Sequence, residues 1–378
     1  MSKDTELADI INLHKEWLRS ANKSGKRADL SGARLDGVDL SNVDLSGALF
    51  RGASLVGTNL KASKLFHADF SDASLKNADL AGATLVLADF TGADLSEANL
   101  AGTRDASETE FGQNKRGPCF KDAYLVGANL SSSWCMASDF DGANLQGADF
   151  RDALLEQANF AGNNMSGLNM SGANLVDAKL HGSILVETCL LGAKLKGADL
   201  RNANLSHANV QLANLTSANL ENCKLDGIRY GRQTLFRGIR LEGCYGSSRF
   251  KRFAEDQDYI EEFKEAHPLS YLVWLSLTDC GRSMIRVALW SFAISIFFGL
   301  AYFSLGPHAF EISNPNGLQW TVFTSIYYSV VTFTTLGFGD VTPNTPLAAS
   351  MVILEVVIGY VMLGILISIL ATKVARRS

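Results

Sequence analysis

The chain is 378 residues long, enough for two or three domains with cores of ordinary size, so a small disulfide-stapled scaffold is excluded. With 34 Lys and Arg against 39 Asp and Glu the net charge is −5, and 47% of the residues are hydrophobic, which excludes both a disordered chain and a strongly basic nucleic-acid binder. The charge is unevenly divided, −7 over residues 1–280 and +2 over residues 281–378.

The first residues lack the apolar run of a signal peptide. Leu7, Ile10, Ile11, His14, Trp17 and Leu18 form one stripe at i, i+3, i+4 spacing, which predicts an amphipathic helix over about residues 5–20, within a capping segment 1–27. His14 reads as a satisfied histidine on that stripe, because no second ligand is spaced to join it.

From residue 28 the sequence turns periodic. In ADLSGARLDGVDLSNVDLSGALF a large apolar residue falls on every fifth position, a register that runs from Leu30 to Leu100, resumes at Phe120 and ends at Leu225, 37 pentads in all. A small residue, usually Ala, stands two places before each, as at Ala28, Ala33 and Ala48. A period of five matches neither the 3.6 of a helix nor the 2 of a strand. The chain must turn a corner about every five residues, with the large and the small residue both facing a narrow interior. Phe50, Phe70 and Phe90 are twenty residues apart, as are Phe120, Phe140 and Phe160, and twenty residues are four pentads. A four-sided coil results, with rungs spaced like neighbouring strands and a total length of roughly 44 Å. Asp, Asn, Ser and Gly between the apolar positions suit tight turns. Residues 101–119 break the pattern and should protrude as a loop. If that loop takes ten residues out of the coil count, Phe120 continues the column begun at Phe50.

These A-(D/N)-L-x-x repeats resemble the pentapeptide-repeat family over about residues 28–230. The resemblance implies a right-handed quadrilateral β-helix, assigned here to residues 28–245. Some acidic rods of that family bind topoisomerases by imitating DNA; a scaffold that docks a cytosolic protein partner, with no nucleic acid, is the favoured reading. Phosphate-binding and nucleophile-elbow motifs are missing, and His67, His181 and His207 lack metal-ligand spacing, so neither an enzyme nor a cofactor is expected. The six cysteines (Cys119, Cys135, Cys189, Cys223, Cys244, Cys280) contain no C-x-x-C pair and read as reduced thiols of a cytosolic segment. Both ends of such a rod expose edges that need covers. The first helix can cover one. RFKRFAEDQDYIEEFKEAH, stopped by His267-Pro268, reads as a charged helix that can cover or leave the other.

Val287 to Leu305 holds 19 residues without a charge, and Leu347 to Thr372 holds 26 interrupted only by Glu355. Each is long enough to cross a bilayer. Arg282 and Arg286 flank the first run, Lys373, Arg376 and Arg377 the second, and the loop between them has no Lys or Arg. The positive-inside rule therefore puts both termini, and the rod, in the cytoplasm. A multi-pass protein of a bacterial inner membrane is expected. Residues 246–283 form a helical linker ending in SYLVWLSLTDCGRS, suited to lie along the inner interface. Trp320 to Phe333 is apolar but only 14 residues, too short to cross, and is followed at once by Thr334, Thr335, Leu336, Gly337, Phe338, Gly339 and Asp340. Non-helical backbone at that depth must be shielded by protein or line a watery path. Alternating glycines allow mirror-image backbone angles, so successive carbonyls can face one side.

TTLGFGD resembles the potassium-channel selectivity signature, and span, short helix, filter, span is the pore layout of two-span potassium channels. The resemblance implies an all-α two-span membrane pore domain over residues 284–378, with a re-entrant pore helix (320–333) and a selectivity filter (334–340). It also implies a homotetramer in a lipid bilayer. In the coordination picture taken from that family, carbonyls of Thr335, Leu336, Gly337 and Phe338, with the Thr335 hydroxyl, replace the water around K+, the only metal ion expected. Gly339 ends the ion-coordinating segment and forms the outer mouth with Asp340. Thr334, Asp340 and Tyr327 support the filter, Tyr327 through a hydrogen bond to Asp340. Leu336 stands where Val or Ile is commoner, Phe338 where Tyr is commonest, and Val331 where some relatives place a carboxylate behind the filter. Gly359 matches the family's gating-hinge glycine; close helix packing is the competing reading, and Gly364 is a second candidate. Glu355, an acid inside a span, is a functional-site hypothesis, read as a protonated or hydrogen-bonded structural acid facing the pore helix or a cavity in preference to a pH sensor. Because no span carries spaced arginines, regulation is expected from the N-terminal side, through the interfacial helix at residues 270–283, or from lipid and voltage acting on the filter. The alternative reading is a membrane-anchored repeat scaffold with a non-conducting or non-selective cation pore.

Overall fold

A computed structural model describes residues 3–104, 116–313 and 319–375. The chain divides into two units, Met1–Glu261 and Glu262–Ser378, each with its own apolar core.

The first unit opens with helix α1 (Lys3–Arg19), whose Leu7, Ile10 and Ile11 pack on the core of a long coil. The coil is built from single bridging residues in parallel register: Asp29 pairs with Leu49, Arg34 with Ser54, Asp39 with Asn59 and Asp44 with Lys64. Four sides of five residues therefore make one turn of the coil. Each corner repeats one hydrogen bond, such as Ala33 N to Leu30 O at 3.1 Å, across a residue in the left-handed region, Gly32 at φ +65°. A positive φ at that place is what a type II turn demands. The rungs are tied from both sides, Leu30 N to Leu49 O at 2.7 Å and Leu49 N to Ala28 O at 3.0 Å. Inside, the Leu, Phe and Ala positions form one continuous buried column.

Two departures interrupt the period. Thr84 pairs with Arg104 at the usual spacing, but Asp89 pairs with Cys119, so ten residues leave the coil between Arg104 and Cys119. The expected loop falls there, and its residues 105–115 lie outside the described residues. The rings of Phe90 and Phe120 stack at 5.3 Å, and one column joins Phe50, Phe70, Phe90, Phe120, Phe140 and Phe160. The second departure is one extra residue between Arg229 and Leu235, which shifts the inward positions to Phe236 and Leu241. The coil continues past Leu225 and ends with Tyr245 against Lys224.

Both ends are covered. At the first, His14 is 0% exposed and its Nδ1 accepts from Ala28 N at 3.1 Å. At the last, helix α2 (Ser248–Ala266) lays Phe250 and Ala254 on the core. Its carboxylates accept the open N–H groups of the final turn, Glu261 from Arg237 N at 3.0 Å and Asp258 from Gly238 N at 2.7 Å. Unpaired edge groups are thereby removed from reach of another chain.

The second unit begins with helix α3 (Pro268–Thr278), opened by its proline, and turns at Asp279, φ +53°, into helix α4 (Met284–Leu305). Ser283 caps α4 by accepting from Arg286 N at 3.2 Å. A short turn at Pro307–Ala309 leads to strand β1 (Phe310–Ile312), then come helix α5 (Val322–Phe333), strand β2 (Val341–Pro343) and helix α6 (Pro346–Ala375). β1 and β2 pair antiparallel, Ile312 opposite Val341. At 1.5 Å per residue α4 is about 33 Å long, α6 about 45 Å and α5 only about 18 Å. α4 and α6 are long and apolar enough to cross a membrane; α5 is not. Gly299 brings α4 close to α5, since a Cβ there would stand 2.7 Å from the Cα of Ile326. Arg376 and Arg377 lie outside the described residues.

Candidate ion pathway

The Thr321 side chain starts α5 by accepting from Thr324 N at 3.1 Å. The helix ends where Thr335 N returns to Thr332 O and Leu336 N to Val331 O, both at 3.0 Å, with Thr335 at φ +58°. This paired closure around a left-handed residue is the Schellman pattern, and it ends the helix within a single residue. Beyond it, φ is left-handed again at Gly337 (+53°) and Gly339 (+73°), and at neither Leu336 nor Phe338. Five consecutive residues therefore alternate in backbone hand. Leu336 and Phe338 are 62% and 64% exposed in the single chain. At the far end the carbonyl of Gly339 accepts from Ser313 Oγ at 3.0 Å and that of Asp340 from Ser313 N at 2.9 Å, which ties the segment to the β1 side. The Asp340 carboxylate accepts from Val341 N at 3.1 Å, and the Tyr327 hydroxyl lies near it. The Thr335 hydroxyl donates to Thr334 O at 2.7 Å, and Val331 is buried behind the segment.

A cavity of about 390 Å³ opens below the segment, lined among others by Thr334, Thr335, Gly359, Tyr360 and Leu363. Gly359 lies against the carbonyl of Phe333, where a Cβ would collide with it, while Gly364 has nothing within 4 Å. Glu355 is 0% exposed. Tyr302 Oη donates to its Oε2 at 2.6 Å, and Ser329 is hydrogen-bonded to its Oε1.

Eight copies of the pentapeptide-repeat family profile match within residues 27–229, and the profile described as ion channel matches residues 283–376. The chain is a pentapeptide-repeat protein that carries an ion-channel domain. Both families are non-enzymatic. Among solved structures it is similar to HetL, a pentapeptide repeat protein involved in heterocyst differentiation regulation from the cyanobacterium Nostoc sp. strain PCC 7120, at 28% identity over 62% of this chain and 98% of that one, TM-score 0.36. It is also similar to Rfr23, a pentapeptide repeat protein from the cyanobacterium Cyanothece 51142, at 28% identity over 39% of this chain and 90% of that one, TM-score 0.15. A third is QnrB1, a plasmid-mediated fluoroquinolone resistance protein, at 18% identity over 61% and 96%, TM-score 0.25. No curated protein matches the chain.

In the channel domain, of the residues singled out from sequence, Thr334 to Asp340 form one segment after α5, Tyr327 lies on α5 itself, and Glu355 lies on α6 against α5. Sequence reasoning missed Ser313, Ser329 and Tyr302. A serine within the apolar run of α5 was the one available signal for Ser329, since a buried hydroxyl needs a partner. Ser313 and Tyr302 gave none.

Proposed function

We propose that the channel domain forms a potassium-selective pore from four copies of the chain, with the repeat domain and both termini in the cytoplasm of a bacterial cell. The observation that carries this reading is the alternation of backbone hand at Thr335, Gly337 and Gly339, at the end of a half-length helix and between two spans. A peptide that alternates in this way turns its carbonyls toward one side. A ring of such oxygens substitutes for the water shell of the permeating cation. Thr335, Leu336, Gly337 and Phe338 supply the oxygens; Gly339, its carbonyl engaged by Ser313, forms the outer mouth with Asp340. Thr334 and Tyr327 support them. The exposure of Leu336 and Phe338 in one chain supports closure by further copies, because large apolar side chains seek burial, and a cyclic arrangement places the same segment around one axis. The C-terminal end of α5 carries a partial negative charge that favours a cation in the cavity below. The repeat domain serves as a scaffold for a cytosolic protein partner.

Rubidium uptake into liposomes holding the purified protein, with sodium as competitor, tests the proposal. Uptake that excess sodium leaves unchanged is expected. An impermeable protein, or one passing sodium as readily, would reduce the assembly to a membrane-anchored scaffold.

A further inference from the structure

α4, α5 and α6 meet at one polar node inside an apolar bundle. Glu355 of α6 receives the Tyr302 hydroxyl of α4 at 2.6 Å and contacts Ser329 of α5. The same Ser329 Oγ lies 2.7 Å from the carbonyl oxygen of Ser295, on α4. Counting hydrogens points to a neutral acid. A serine hydroxyl has one hydrogen, and a carbonyl oxygen can only accept. The Ser329 hydrogen therefore goes to Ser295 O, and the contact with Glu355 Oε1 needs its hydrogen from the carboxyl itself. Were Glu355 ionised and Ser329 its donor, Ser329 Oγ and Ser295 O would face each other at 2.7 Å as two acceptors.

The surrounding charges agree. The groups facing Glu355 are hydroxyls, Tyr302 from α4 and Tyr328 and Ser329 from α5. The only Lys or Arg residues on these three helices are Arg286 and Lys373. They stand sixteen residues from Tyr302 and eighteen from Glu355, roughly 24 and 27 Å along their helices. Among the described residues of these three helices no Lys or Arg is in place to compensate a buried carboxylate, and an uncompensated one neutralises instead.

We propose that Glu355 is held protonated and acts as a positioning residue: a neutral clamp that joins all three helices and fixes α5, and with it the filter carried at the C-terminus of α5. The hydrogen-bond chain runs from Glu355 to Ser329 to Ser295, with Tyr302 donating to the other carboxyl oxygen. The role in the filter rests on the potassium-channel reading; the protonation state does not.

Infrared spectra and rubidium uptake of the full-length protein in liposomes, between about pH 5 and pH 9, test both parts. The carbonyl band of a protonated carboxyl should persist across that range in the wild type and vanish in Glu355→Gln. Glu355→Gln should keep uptake within about twofold and leave its pH profile unchanged, since the amide oxygen accepts from Tyr302 and the amide N–H donates to Ser329. Glu355→Leu should lose about tenfold, the scale of one buried hydroxyl left unpaired, with Glu355→Gln as the conservative rescue. A missing band, a Gln variant as impaired as Leu, or a pH response of uptake that Glu355→Gln removes would overturn the clamp. If the wild type passes no rubidium or passes sodium equally, the potassium reading fails, while the band and its loss still decide the protonation.

Discussion

Left-handed backbone costs a residue other than glycine about 1–2 kcal/mol, and this chain adopts it in two settings. In the coil even Leu87 and His67 take it, at φ +58° and +54°, because hydrogen bonds to the coils on either side hold the corner. At Thr335 the closure of α5 supplies that restraint. Glycine serves a different purpose at Gly359, where it lets α6 approach the carbonyl of Phe333. Small residues let membrane helices come close in this manner. Gly359→Ala should therefore destabilise the channel domain by about 1–3 kcal/mol, read as a lower melting temperature in lipid. Gly364→Ala, with open space around it, should leave the melting temperature unchanged. A Gly359→Ala variant that melts normally but loses uptake would instead mark a bending point.

The covers at the two ends of the coil use different chemistry at the scale of the element. At the last coil α2 offers the carboxylates of Glu261 and Asp258; at the first, α1 offers one imidazole nitrogen. Burial pushes the His14 pKa below the ordinary histidine value of 6.5. The unfolded chain therefore binds the extra proton more readily than the folded one. The contribution of this contact is fully present above the ordinary value and is lost as pH falls through it toward the depressed one. Hydrogen exchange at Ala28, corrected for intrinsic rate, should lose protection between about pH 7.5 and pH 5.5. His14→Asn keeps an acceptor that does not titrate, so its protection should stay level over the same range. Equal slopes in the two proteins would remove His14 from the pH response.

At the scale of the whole molecule, the ion-channel domain and the stacked repeats belong to separate units with separate cores. Removing residues 1–245 should leave rubidium-over-sodium preference intact and change open probability in single-channel records; an unchanged open probability would exclude the repeat domain from gating. The coil was legible in the primary structure because its information is local: every pentad places its own large and small residue inside, and the Phe spacing counts the corners without any distant contact. The half-length apolar run between two full spans was legible for the same reason, while the channel reading itself came from the resemblance of TTLGFGD to a selectivity signature. Length against bilayer thickness is a local property. Other features depended on how distant segments pack. One inserted residue between Arg229 and Leu235 shifted the register of the last coil, and a single imidazole met the edge of the first coil. Glu355 was visible as an acid in a span, but its partners lie 53 and 26 residues away, at Tyr302 and Ser329. Which side chains meet across such separations depends on the rotation and height of each helix against the others. Periodicity within one helix leaves both free, and only close packing in three dimensions sets them.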